Sequence, residues 1–218
     1  MKFSESPAVE LRVGSTTLTI EQDNQSMHVG TSVWPCSLLL VKFAEHSLSS
    51  PSRYSDLLRF PGRRAVELGS GTGAAGMGLS LLGLSDIVLT DIDPVLPALK
   101  RNLKRNRRSL PPKLPRLSRL YWNNPDQIRS LKPPFDFVVA TDVVYIEETV
   151  RPLVSAMEAL VADDGLVLLG YQVRSPEADR LFWEVCAGSF DAERVPREDL
   201  HPDYAFEGAD VFFLRKKR

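Results

Sequence analysis

The chain has only two cysteines, Cys36 and Cys186, far apart in 218 residues. That excludes a disulfide framework and any zinc site built on closely spaced thiols. No apolar run approaches the ~20 residues that a membrane helix needs. Histidines are equally scarce, and none of His28, His46 and His201 falls in a motif at an expected strand end, so a nucleophile triad has no base. The formal net charge of −1 supplies no overall field toward nucleic acid or membranes. The opening segment MKFSESPAVE has neither the apolar stretch of a signal peptide nor the character of a transit peptide. With unpaired thiols, the expected location is the cytoplasm, with the nucleus as second choice, and the expected state is a monomer. There are no internal repeats.

What is present is an alternation of strand and helix signals. Val9, Leu11 and Val13 alternate, Gly14-Ser15 turns, and Leu18 with Ile20 alternates back, which predicts a hairpin. Trp34-Pro35 starts a helix with Leu39, Leu40 and Phe43 on one face, broken by Ser49-Ser50-Pro51-Ser52. Strands are then expected near 64–68, 86–90, 116–121, 135–140 and 165–171, with helices near 73–83, 94–106, 147–161 and 176–188. Phe190–Arg194 and Asp210–Leu214 complete seven strands of an open, mostly parallel α/β sheet with helices on both faces, a Rossmann-like architecture. The division expected is an N-terminal hairpin and helix (1–50) covering the site, then a main domain (51–218).

The glycine-rich stretch Glu67-Leu68-Gly69-Ser70-Gly71-Thr72-Gly73 follows the first of these strands, and Asp91 ends the next. Such a unit brings backbone close to a ligand and offers an acid to a ribose. Read with Ala74 in the third place it fits a dinucleotide turn; read as E-x-G-x-G-x-G it fits methyl donor binding. No Arg follows Asp91 for a ribose phosphate, and no separate hydride-transfer domain remains, which favours S-adenosyl-L-methionine. Asp93, before Pro94, is expected to cap the following helix. Glu67 is expected to be buried, and so to need donors.

Trp34-Pro35, Glu67 to Gly73, Asp91, Trp122 and Thr141-Asp142-Val143-Val144-Tyr145 together resemble the seven-β-strand protein-lysine methyltransferases, over about residues 25–215. Asp-x-x-Tyr after the fourth strand is the most specific part. The resemblance implies transfer of methyl groups from S-adenosyl-L-methionine to a lysine of a protein substrate, with chaperones of the Hsp70 and AAA types among the substrates of known members. It places Trp34, Gly69, Ser70 and Gly71 along the methionine part of the donor, Asp91 on the ribose, Trp122 on the adenine and Thr141 beside purine or sulfur. Glu67 is counted with these donor contacts. Asp142 is expected to organise the acceptor at the mouth, with Tyr145 as wall or hydroxyl and Tyr171 as a second hydroxyl. Glu198–Glu207, with His201 and Tyr204, is a candidate rim.

Two other readings compete. Nine basic residues and no acid lie between Lys100 and Arg119, which suits an RNA methyltransferase or simply a solvated helix face outside a Leu96, Leu99, Leu103 stripe. Base methylation usually carries Asn/Asp-Pro-Pro-aromatic after the fourth strand; here Pro133-Pro134-Phe135 precedes it. The last reading is an inactive donor-binding module. The terminal Arg215–Arg218 run is expected to be a tail.

Overall fold

The computed structural model describes residues 5–49 and 52–217. Ser50 and Pro51 of the expected helix break, and Arg218, lie outside them; the run at 215–217 is not the tail expected, since Arg215 and Lys216 pair with Asp191 and Phe190 in the sheet. After a hairpin of β1 (Ala8–Val13) and β2 (Thr16–Glu21), seven strands form one sheet: β3 (Arg64–Leu68), β4 (Asp86–Asp91), β5 (Arg116–Arg119), β6 (Phe135–Thr141), β7 (Val161–Gln172), β8 (Phe190–Arg194) and β9 (Ala209–Lys216). Their spatial order is β5-β4-β3-β6-β7-β9-β8. Strands β3 to β7 run parallel, and β9 is antiparallel to both neighbours. The order reverses at β3, which lies between β4 and β6. A crevice therefore opens at the carboxyl ends of β3 and β6, where open α/β sheets bind ligands.

The strands explain the two-sided burial. Ala65, Ile87, Leu89, Phe137 and Val139 face α1 (Pro35–Ser49), α2 (Ala74–Leu81) and α3 (Leu96–Arg105). The alternate residues Val66, Leu68, Val88, Val138 and Ala140 face α5 (Glu147–Leu160) and α6 (Pro176–Ser189). That period of two puts Glu67 under α2 rather than in the crevice. The helix comes very close there: a Cβ on Gly76 would lie 2.2 Å from Leu89 Cδ2 and 2.5 Å from Glu67 Oε2.

Helix α1 starts at Pro35 as expected, but it is buried nearly all round, from Cys36 to Ala44. It packs on β7, β9 and α2, which makes it part of one helical layer. The hairpin is joined to α3 by two buried asparagines that read the free edge of β2. Asn102 accepts from Glu21 N–H (2.7 Å) and donates to Glu21 C=O (3.0 Å). Asn106 does the same at Thr19, with both contacts at 2.9 Å. Each carboxamide replaces a missing strand partner and leaves no edge amide unpaired at those residues. No residue of β1 or β2 lines the large cavity described below; the covering segment is 27–37.

Helix α3 carries a correction. Asp93 does not cap it: the helix begins at Leu96, no side chain caps it, and Asp93 pairs with Arg119 at 3.2 Å. Pro97 follows at the first turn, and Leu96 and Leu103 are only half-buried beside fully buried Leu99. All nine basic residues from Lys100 to Arg119 are exposed. A short helix, α4 (Pro125–Ser130), capped by Asn124 Oδ1, had not been expected between β5 and β6. Its motif, Asn-Asn-Pro-Asp, is nevertheless a legible start signal.

Candidate active site

One cavity of about 790 Å³ opens at the carboxyl ends of all five parallel strands. Gly69, Ser70 and Gly71 come from the turn after β3, and Asp91 from the end of β4. Leu120, Tyr121 and Trp122 follow β5, Thr141 and Asp142 close β6, and Arg174 follows β7. Trp34, Tyr145, Ile146 and Val29 supply the remaining walls with their neighbours. Nine of the ten site residues expected from sequence thus line a single cavity: Trp34, Gly69, Ser70, Gly71, Asp91, Trp122, Thr141, Asp142 and Tyr145. The tenth, Glu67, does not.

The β3–β4 half is built by backbone geometry. Gly71 has φ +55, and a Cβ there would meet Gly30 O at 2.9 Å, so the turn and the covering segment approach closely because glycine stands at 71. Asp91 braces the turn: its two carboxylate oxygens accept from Gly71 N–H (2.7 Å) and Ile92 N–H (2.8 Å). Burial raises its pKa, opposed by those two bonds. The Ser70 hydroxyl accepts from Thr90 N–H at 3.0 Å and joins the turn to β4. Glu67 is fully buried, and its Oε2 has no hydrogen-bond partner among the described residues. Burial first, then the Asp91 charge, pushes its carboxyl up to about 8. Its carboxyl lies under α2, outside the cavity lining.

The β6–β7 half differs from expectation at Asp142. Its side chain is only 3% exposed. Oδ2 accepts from Cys36 N–H at 2.9 Å, which caps the start of α1. Oδ1 is paired with Arg174 Nη2 at 2.6 Å. Asp142 holds a left-handed backbone, φ 56, rare for a non-glycine residue and concentrated at functional sites. Arg174 in turn lies 4.8 Å from the centroid of the Trp34 ring, whose Nε1 donates to Val29 C=O at 2.9 Å. Arg174 was not anticipated. Its signal, an arginine three positions beyond Tyr171, has meaning only once β7 is placed beside β6.

Tyr145 stands at the mouth, partly covered, and burial with a smaller push from the Asp91 charge raises its phenol pKa. It is a neutral hydroxyl at pH 7. Tyr171 turns the other way, donating to Asp179 Oδ1 at 2.6 Å and stacking on Phe182. The 198–207 segment also leaves the site: His201 and Tyr204 pack against α1 through His46 and Lys42. Burial and the adjoining Asp142 carboxylate push the Cys36 thiol well up, so it is no nucleophile. The rim is apolar: Met27, Val29, Tyr121, Tyr145 and Ile146 are five of the seven exposed large apolar side chains among the described residues.

A sequence model of lysine methyltransferases matches residues 13–187. The chain belongs to that lysine methyltransferase family. It is 29% identical over 198 residues to Protein N-lysine methyltransferase METTL21A of Danio rerio, covering 90% of this chain and 82% of that protein. EEF1A lysine methyltransferase 3 of Xenopus tropicalis is 28% identical, over 84% of this chain and 76% of the relative. In fold, the T. thermophilus 16S rRNA N2 G1207 methyltransferase, solved with AdoMet and guanosine, superposes with TM-score 0.63 over 96% of this chain and 50% of that one, at 18% identity. This lysine methyltransferase accordingly uses S-adenosyl-L-methionine as donor, and the cavity suits it. The volume lies within the ~300–1,000 Å³ typical of ligand sites. The lining combines a carboxylate at a strand end, two indoles and close-approach glycine backbone, the chemistry a ribose, a purine and a sulfonium require.

Proposed function

We propose that this lysine methyltransferase methylates a lysine exposed on the surface of another protein, with donor and acceptor meeting inside the one cavity. The observation that carries the reading is the convergence of Asp91, Trp122, Asp142 and Tyr145 on one space ringed by exposed apolar side chains. In this reading Asp91 holds the ribose, Trp122 flanks the adenine, and Gly69, Ser70 and Gly71 line the methionine part. Trp34 and Tyr145 wall the port. An apolar rim of this kind favours docking of protein surface.

Bound S-adenosyl-L-methionine supplies a methyl on a sulfonium, already activated for displacement by an amine. What the chain must do is align the amine, exclude water and admit the amine neutral. At pH 7 a free lysine with pKa near 10.4 is only about 0.04% neutral. The aromatic, apolar port lowers that pKa by desolvation. Tyr145, a neutral phenol, can accept a hydrogen bond from the amine but is no base. The proton leaves to water.

One chain carries the whole cavity, so a monomer suffices, and the cytoplasm is the proposed location. Chaperones of the Hsp70 and AAA types, and elongation factor 1A, are the first acceptors to test. Purified protein is incubated with desalted cell extract and labelled donor, then treated with nuclease or protease. Label removed by protease and retained after nuclease supports a protein acceptor. Label removed by nuclease alone overturns it in favour of a nucleic-acid substrate.

A further inference from the structure

We propose that Arg174 is a positioning residue for methyl transfer: it locks the Asp142 carboxylate away from the acceptor amine, cancels its charge, and fixes Trp34 in the cavity wall. This rests on the lysine reading above. Four contacts carry it. Arg174 binds Asp142 Oδ1 at 2.6 Å, and Cys36 N–H holds the other oxygen at 2.9 Å. The guanidinium lies over Trp34 at 4.8 Å, and Trp34 is tied to Val29 C=O at 2.9 Å. Together they join the covering segment, the start of α1, and the ends of β6 and β7 through one ion pair. The left-handed backbone at Asp142, whose N–H donates to Gly170 C=O at 3.0 Å, keeps the carboxylate aimed at that pair.

The arrangement answers a chemical conflict. A bare carboxylate beside the port would stabilise the ammonium form of the incoming lysine and raise its pKa by about 1 to 3, withholding the nucleophilic lone pair. An Asp–Arg pair presents no net charge to the cavity that both residues line. The charged and titratable groups lining the space are His28, Asp91, Tyr121, Asp142, Tyr145, Glu148 and Arg174, with Cys36 behind Asp142. Of the acids, Asp91 is braced on backbone amides across the cavity and Glu148 is exposed at the mouth. Asp142 is the one held by a cation. Arginine suits this better than lysine because its planar fork can stack on an indole while it donates to a carboxylate.

The test is the pH dependence of initial methyl transfer from labelled donor to the proteins of a desalted cell extract, between pH 6.5 and 10. Wild type is compared with Arg174→Gln, Arg174→Lys and the double variant Asp142→Asn/Arg174→Gln. S-adenosylhomocysteine binding is followed by calorimetry. Arg174→Gln is expected to be about tenfold or more slower at pH 7.5, with its acid limb moved up by about one pH unit and the rate recovering toward pH 10. Arg174→Lys keeps the limb within about half a unit of wild type. The double variant, without a bare anion, returns the limb to the wild-type position, and it carries the test if Arg174→Gln does not fold. S-adenosylhomocysteine binding changes by no more than about threefold. A loss of equal factor at every pH, or a double variant whose limb stays shifted, overturns the proposal and leaves a structural role only. Wild type that labels nothing protease-sensitive refutes the lysine reading instead, and this proposal with it.

Discussion

Glu67 shows how a motif residue can be read correctly for place and wrongly for duty. Its position at the end of β3 was legible, but alternation along the strand sends its carboxyl beneath Gly76 and away from the cavity. Its folded pKa, about 8, exceeds the unfolded value of 4.5. The native state therefore keeps a proton that the unfolded chain releases. That contribution to stability is fully present below about pH 4.5 and is lost as pH rises through about 8. Glu67→Gln, which cannot ionise, is expected to flatten the fall of melting temperature between pH 5 and 9. Parallel wild-type and variant melting curves over that range would contradict it. Gly71 makes a second residue-scale case. Gly71→Ala adds a Cβ 2.9 Å from Gly30 O at positive φ, and should cost roughly 1–3 kcal/mol of stability in denaturant titrations.

At the scale of elements, the hairpin depends on α3 through Asn102 and Asn106. Asn102→Ala removes two bonds and leaves Glu21 N–H and C=O facing a cavity in the packing. The expected cost is about 2–4 kcal/mol, with faster amide exchange along β2, whereas Lys100→Ala on the exposed face stays within about 0.5 kcal/mol. Equal effects of the two would refute the stitching role. What could be read beforehand divides along the same line. Local signals placed β3, the glycine turn, β4 and Asp91, because apolar runs and glycines act over a few neighbouring positions. The Asp142 to Arg174 pair spans 32 residues and two strand ends, so no spacing rule announces it. Asp93 looked like a cap because Pro94 follows it, yet Arg119 takes its carboxylate once β5 lies beside β4. Asn102 and Asn106 on an otherwise basic helix carry no sequence signal of their own, because the β2 edge that they bind lies more than 80 residues away.

For the whole molecule, seven strands matter chiefly because they bring five carboxyl ends to one place, and segment 27–37 closes that place from the side. A ligand that binds only the folded state stabilises it by about 2.7 kcal/mol at a hundred times its dissociation constant. For a chain of this size that is a melting-temperature rise of about 5–10 °C. S-adenosylhomocysteine should produce such a rise in thermal melts, and Asp91→Ala should abolish most of it; an unchanged rise would remove Asp91 from the donor contacts. The exposed basic face from Lys100 to Arg108 lies outside the cavity lining, so replacing Lys100, Arg101 and Lys104 by Gln should leave that rise intact.

The most direct check is a crystal structure with S-adenosylhomocysteine bound. The account predicts the ribose on Asp91, the adenine along Trp122, and the sulfur turned toward the port between Trp34 and Tyr145, with Asp142 still paired to Arg174. The product bound in any other cavity, or oriented with its sulfur away from Trp34 and Tyr145, would contradict it.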